Sequence, residues 1–198
     1  PISVHAVGFD RDAQILRSPP FCVDKPIVFY GTSITHGGCA ARAGLSYGAM
    51  LGRRLNADFV NFGLNGCGRG EAEVAKILAD VDASCYVLDF AQNNEGPDSL
   101  RANYLPLIDT IRAKHPQTPI LCVTPIYWVA ELPGSEVGSI HEKMRQVIRD
   151  AVQECKARGD TNTHLVEGNV DLLNETQGDG LTDGLHPNTF GFRLIANG

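Results

Sequence analysis

The stretch "KPIVFYGTSITHGG" at residues 25–38 places Ser33 two positions after the glycine that ends an apolar run. Far along the chain, "GDGLTDGLHPN" places Asp183 three residues before His186, in a segment rich in Gly and Asp. A serine hydroxyl is a poor nucleophile until a base takes its proton. An imidazole is such a base when a carboxylate holds its other nitrogen in the right tautomer. A tight turn brings side chains at i and i+3 together, so Asp183 can reach His186. These three residue types supply the parts for acyl transfer through a covalent intermediate. Each also has a plain reading. Ser33 or Thr35 can cap a following helix, and Asp-x-x-His can be a solvated turn before a helix.

Two more loops offer hydrogen-bond donors. "VNFGLNGCGRGE" exposes backbone N–H groups along its glycines, with a helix start beyond them. "LDFAQNNEGPD" offers Asn93 and Asn94, and an asparagine amide is a good fixed donor for an oxyanion. Read alone, each is an ordinary turn.

These residues need elements to carry them. Ile27–Tyr30, Phe59–Phe62, Cys85–Phe90, Ile120–Val123 and His164–Val166 read as strands. They are continuously apolar, as expected when helices cover both faces of a sheet. Tyr47–Leu55, Glu71–Ala79, Leu100–Lys114 and Ser139–Arg158 show helical spacing, and a last helix starts near Asn188. In the long one, Ile140, Met144, Val147, Ile148, Ala151, Val152 and Cys155 share a face, and Gly159 stops it. Alternating strands and helices predict an α/β fold with a parallel sheet and right-handed crossovers. Sites in such sheets gather at the carboxyl ends of the strands. That singles out Gly31–Gly38, Gly63–Gly70, Ala91–Asp98, Thr124–Gly138 and Gly168–Pro187. Residues 1–24 fit this pattern less well and end at the pair Pro19-Pro20. They read as a leader, or as the remnant of a preceding β-domain.

The chain has 198 residues, enough for one domain with a real core. Its formal charge of −6 and lack of Lys/Arg runs argue against a nucleic-acid partner. No apolar stretch approaches the ~18 residues of a membrane span. The start, "PISVHAVGFD", has neither an initiator Met nor a signal-peptide pattern, and reads as a mature product, a fragment or an excised domain. The compartment, cytoplasmic or secreted, does not follow from it. The cysteines, six in number, form no CxxC pair and read mostly as free thiols, with Cys85 and Cys122 in the core.

Serine, glycine, asparagine and Asp-x-x-His follow strands one, two, three and five in this order. The arrangement resembles the SGNH/GDSL hydrolase family over residues 27–198. The family's first block (Gly-Asp-Ser-Leu) is similar to "GTSIT", its second to "VNFGLNG", its third (Gly-x-Asn-Asp) to "AQNN" and its last to "DGLHPN". "PIVFYGTSIT", "LGRRL" and "NGCGRGE" resemble the branch that carries an extra N-terminal β-domain. The resemblance implies a three-layer α/β/α sandwich over 25–198, with a five-stranded parallel sheet of flavodoxin-like order. It implies Ser33 as nucleophile, His186 as general base and then acid, and Asp183 as its orienting carboxylate. The Ser33 N–H, the Gly66 N–H and the Asn93 amide would form the oxyanion hole. Thr32, His36, Asn94, Tyr127 and Trp128 are the candidates for contact with substrate. No metal or organic cofactor is implied. Thr32 stands where the family usually has Asp, which predicts a change in loop geometry. The third block is bulkier than usual, which predicts a change in the acyl pocket.

The expected activity is hydrolysis of small acyl esters, acetyl or short-chain, with carbohydrate esters among the candidate substrates and a small-molecule ester as the partner. Acyl transfer by the same residues is the alternative. A different class, a hydrolase fold that only binds a glycan or protein, also fits the fold. A nucleotide-binding loop fits poorly, since Gly63, Gly66, Gly68 and Gly70 do not match G-x-G-x-x-G and follow strand two. The α/β-hydrolase elbow G-x-S-x-G is absent too. Arg69 and Glu71 are expected to form a structural ion pair, and His115 and His141 to lie on the surface.

Overall fold

The computed structural model describes residues 3–198. The apolar runs form one sheet of five parallel strands: β1 (Ile27–Gly31), β2 (Phe59–Gly63), β3 (Cys85–Asp89), β4 (Ile120–Val123) and β5 (Thr163–Val166). Their order is β2-β1-β3-β4-β5, the expected flavodoxin-like order. The helices are α1 (Ser33–His36), α2 (Tyr47–Leu55), α3 (Ala72–Ala79), α4 (Pro97–Lys114), α5 (Glu136–Ala157) and α6 (Thr189–Asn197).

Alternation along each strand divides the core in two. Val28, Tyr30, Tyr86, Leu88, Ile120 and Cys122 face α3, α4 and α5. Phe29, Val87 and Val123 face Tyr47 of α2 and Phe192 and Ile195 of α6. The chain therefore crosses to one face after β1 and to the other after β3. The crevice between their carboxyl ends is the topological switch point, where such folds build sites.

Helix starts differ from the periodicity by a few residues, for capping reasons. Ser135 caps α5, its Oγ accepting from Gly138 N at 3.0 Å, so that helix begins before its apolar stripe. Pro97 opens α4, where its missing N–H costs nothing. Residues 3–24 form no helix or strand and are exposed. Each cysteine is a free thiol, with Cys122 and Cys155 buried.

The tip of β1 is tightly packed. A Cβ added to Gly31 would lie 2.0 Å from Thr35 Oγ1 and 2.2 Å from the Asp89 carbonyl oxygen. Asp89, which pairs with Gly31 across the sheet, is a buried acid. Its Oδ2 accepts from the Tyr47 hydroxyl and from Thr35 Oγ1, each at 3.2 Å. Gln92 Nε2 approaches Oδ1 at 3.4 Å. Asp89 also borders an apolar cavity of about 280 Å³, whose rim includes Arg54. The Arg54 guanidinium is taken by the Ala196 carbonyl and Asn197 Oδ1. Burial pushes the Asp89 carboxyl up to about 6, against the pull of its three donors.

Gly31→Ala should therefore lose about 3 kcal/mol or more in urea unfolding, the upper end for overpacking, since one obstacle is backbone. An unchanged midpoint would contradict this packing. Burial favours the protonated form of Asp89. The folded state holds the proton more tightly than the unfolded chain, so this stabilisation is full below pH 3.8 and is lost as pH rises to about 6. Asp89→Asn cannot ionise. Urea unfolding across pH 4 to 7 should show the variant gaining about 2–3 kcal/mol on the parent as pH rises. A constant difference would contradict the shift.

Candidate active site

Ser33 opens α1 directly after β1. The cap of this short helix is Thr32, not Ser33 or Thr35 as the sequence suggested. Thr32 is extended (φ −104°, ψ −160°), and its Oγ1 accepts from Ile34 N at 3.2 Å. A threonine in the family's usual Asp position thus still serves as the cap. Because Thr32 takes this task, the Ser33 hydroxyl is free for another partner. That partner is His186, with Oγ to Nε2 at 2.8 Å.

His186 is held by its own turn. Asp183 Oδ1 accepts from Leu185 N at 3.0 Å and His186 N at 2.7 Å, and Oδ2 lies 2.7 Å from His186 Nδ1. Gly184 supplies the left-handed step between them, at φ +85°. Thr182 N donates to the His186 carbonyl at 2.8 Å and closes the turn. The His186 backbone N–H and then its imidazole hold the Asp183 carboxyl well below the usual carboxylate range. Asp183 is half exposed, so it orients the ring more than it stabilises the fold. In the tautomer that donates Nδ1–H to Asp183, Nε2 is an acceptor facing the Ser33 hydroxyl. Asn188 caps α6 through Phe190 N and Gly191 N, fixing the far side of the loop.

The glycine loop lies against the same strand tip. Leu64 N donates to the Gly31 carbonyl at 2.9 Å, and Gly70 N to the Tyr30 hydroxyl at 2.8 Å. Gly66 adopts φ +69°. Asn93 ends a 3₁₀ turn over Ala91–Asn93, and its Nδ2 donates to the Leu64 carbonyl at 3.1 Å. One amide N–H remains available. Among the described residues, no group accepts from the Ser33 or Gly66 N–H. The elements carrying these three donors are thus stitched together at one end of the sheet.

The remaining candidates lie in varied settings. Asn94 is buried, donating to the Phe90 and Ala91 carbonyls and accepting from Ser99. His36 is exposed, with Nδ1 3.2 Å from the Gly63 carbonyl. Tyr127 borders a polar hollow with Glu131, Asn169 and Asn174. Trp128 packs on the His141 ring, centroids 5.3 Å apart. Between Trp128 and the Asp183–His186 turn, Val129 N donates to the Gly184 carbonyl at 2.9 Å.

Three expectations need correction. His141 is buried, its Nδ1 2.9 Å from Glu131 Oε1. His115 is largely covered too, with Nε2 2.9 Å from the Ala79 carbonyl and its ring against Tyr86. Both rings find polar partners inside, which removes the reason to stay in water. The Arg69 guanidinium pairs with Glu95 at 3.3 Å rather than with Glu71, whose carboxylate accepts the Arg69 backbone N–H.

Sequence reasoning missed two buried networks. Arg145 grips Glu131 with two nitrogens, at 2.8 and 2.9 Å, and so fixes the loop beside Gly184. Burial pushes Glu131 up, but hydrogen bonds from His141 and Arg145 outweigh it and hold the carboxyl low. The signal was available: Arg145 follows Met144 directly and lies four residues after His141 on the apolar helix. The second network is the one around Asp89, an acid at the end of an apolar run.

The model of the GDSL-like Lipase/Acylhydrolase family matches residues 24–197. No curated protein matches the chain. A candidate GDSL-like lipase from Bacteroides ovatus ATCC 8483 is 30% identical, with a TM-score of 0.81 over 91% of this chain and 52% of its own. The salicylyl-acyltransferase SsfX3 from a tetracycline biosynthetic pathway is 22% identical, with a TM-score of 0.75 over 89% and 53%. A family two carbohydrate esterase from Clostridium thermocellum is 18% identical, with a TM-score of 0.71 over 92% and 64%. This chain therefore spans about half the length of the first two. No helix among the described residues is long and apolar enough to cross a membrane. A family match across nearly all of the sheet, its crossovers and its carboxyl-end loops makes this chain a member of the GDSL-like lipase/acylhydrolase family.

Proposed function

We propose that this protein hydrolyses small acyl esters through an acyl-enzyme on Ser33. The contact that carries this reading is Ser33 Oγ to His186 Nε2 at 2.8 Å, between residues 153 positions apart, with Asp183 at 2.7 Å on the other ring nitrogen. Ser33 Oγ attacks the ester carbonyl as Nε2 takes its proton. The negative oxygen is held by the Ser33 N–H, the Gly66 N–H and the free Asn93 N–H. His186 then gives its proton to the leaving alcohol, and the acyl group stays on Ser33. Water repeats the sequence and releases the acid. These steps use no metal or organic cofactor.

A short acyl group, such as acetyl, suits the chain best. The sequence carries no lid-like apolar insertion and nothing resembling a long apolar channel. Similar folds include the Clostridium thermocellum esterase and a two-domain esterase active on acetylated mannans, which supports a carbohydrate ester as one substrate class. Likeness to an acyltransferase supports a second outcome, since an alcohol can accept the same acyl group instead of water.

Ser33→Ala should lower kcat at least about 10⁴-fold with an aryl acetate, as expected when a nucleophile is removed. Mass spectrometry after a fluorophosphonate probe should place the adduct on Ser33. Undiminished turnover in the variant, or an adduct elsewhere, would reject the assignment. Across aryl esters of rising chain length, kcat/KM should be highest at two to four carbons, by roughly tenfold or more over long chains, the size of one or two methylenes in a pocket that does not fit them. A preference for long chains would reject the short-acyl reading. A neutral alcohol added to the assay should yield a new ester if transfer competes.

A further inference from the structure

Asp89 is a carboxylate where the fold alone would favour an apolar residue. It is 5% exposed, at the end of a strand whose neighbours on the same face are apolar. An isolated buried carboxylate is costly, and among the described residues no cation pairs with it: its side-chain partners are two hydroxyls and an amide.

The positions of those partners are informative. Thr35 lies two residues after Ser33 in α1, and its Oγ1 reaches Asp89 Oδ2 at 3.2 Å. Gln92 directly precedes Asn93 in its 3₁₀ turn, and its Nε2 reaches Oδ1 at 3.4 Å. Tyr47 of α2 closes the group, with its hydroxyl 3.1 Å from Thr35 Oγ1 and 3.2 Å from Asp89 Oδ2. Burial first, and then the Asp89 charge, keep the Tyr47 hydroxyl protonated and hence a donor. Gln92 Oε1 is buried with no partner, so its amide satisfies the carboxylate at the expense of its own oxygen. One oxygen thus holds the nucleophile's turn, and the other holds the turn of the oxyanion donor.

We propose that Asp89 is a positioning residue that sets the distance between Ser33 and the Asn93 amide. This rests on the esterase reading above. An oxyanion donor must sit about 2.7–3.1 Å from the developing charge, and a misplacement of about 1 Å can cost 10²-fold in rate. A carboxylate with two acceptor oxygens links both turns at once. An isosteric amide offers one acceptor and cannot serve both donors without turning the Gln92 amide over. Asp89 touches no substrate and moves no proton in the reaction.

The test is a double-mutant cycle on an aryl acetate, with kcat expressed per Ser33 site titrated by a fluorophosphonate. Asp89→Asn should lower kcat about tenfold and leave KM within about twofold, because the lost geometry matters in the transition state. Gln92→Leu keeps the carboxylate and cuts only the link to the 3₁₀ turn, so it should give a similar loss even if Asp89 variants fold poorly. Asn93→Ala alone should cost about 100-fold. Asp89→Asn combined with Asn93→Ala should be no more than about threefold slower than Asn93→Ala, since a missing donor needs no positioning. Multiplicative losses, near 1000-fold together, would overturn the proposal, as would unchanged kcat in Asp89→Asn and Gln92→Leu. A parent protein that neither labels nor turns over would instead overturn the esterase reading, and this proposal with it.

Discussion

The carboxyl end of β1 is where the structure has least room, and everything in the site is built against it. Gly31 has no side chain, so Thr35 and the Asp89 backbone close in on one side. From β2, Leu64 N reaches the Gly31 carbonyl, and a Cβ on Gly68 would lie 2.3 Å from that same oxygen. Ser33 follows two residues later. The serine turn, the glycine loop and the end of β3 are therefore brought together by close backbone approach at Gly31 and Gly68 as well as by the side chains of Thr35 and Asp89. Backbone contacts of this kind leave little freedom to relax, which suits a site whose distances matter.

The histidine reaches this cluster differently. It comes from a loop after β5, and its turn is made by Asp183 accepting two backbone N–H groups. The carboxylate that orients the ring also folds the loop that presents it. The turn then leans on its neighbours: the Val129 N–H reaches the Gly184 carbonyl, and the loop carrying Val129 is clamped by Glu131 and Arg145. A rigid sheet end thus meets a loop made rigid by a few polar contacts. The ring itself stays part-exposed.

Most of the fold was legible because strand and helix patterns are dense signals. Strand assignments fell within a residue or so at each end, and parallel order followed from alternation. Ser33, Asp183 and His186 stood out as residue types at suggestive spacings. What was illegible depended on contacts between distant segments. Ser33 as helix cap was a sound local expectation, yet Thr32 could take the same N–H and did. His115 and His141 looked like surface residues because a single sequence does not show a carbonyl or a carboxylate waiting in the interior. Glu71 sits beside Arg69 in sequence, but the guanidinium found Glu95 across the loop.

The two buried acids beside the site show how charge is used in this interior. Glu131 faces an arginine, and its carboxyl is held low despite burial. A paired charge of this kind can fix a loop with little net effect on stability. Asp89 has only neutral donors, and its carboxyl is pushed up. Such an acid works against the folded state near neutral pH, where an amide or an apolar residue of similar size would not. A residue that weakens the fold yet sits between two elements of a site has its physical rationale in the geometry it maintains, because stability supplies none. On that argument the unpaired buried charge lies at the sheet end, between the turns of Ser33 and Asn93, and the loop beside Gly184 is held by a pair that costs the fold little.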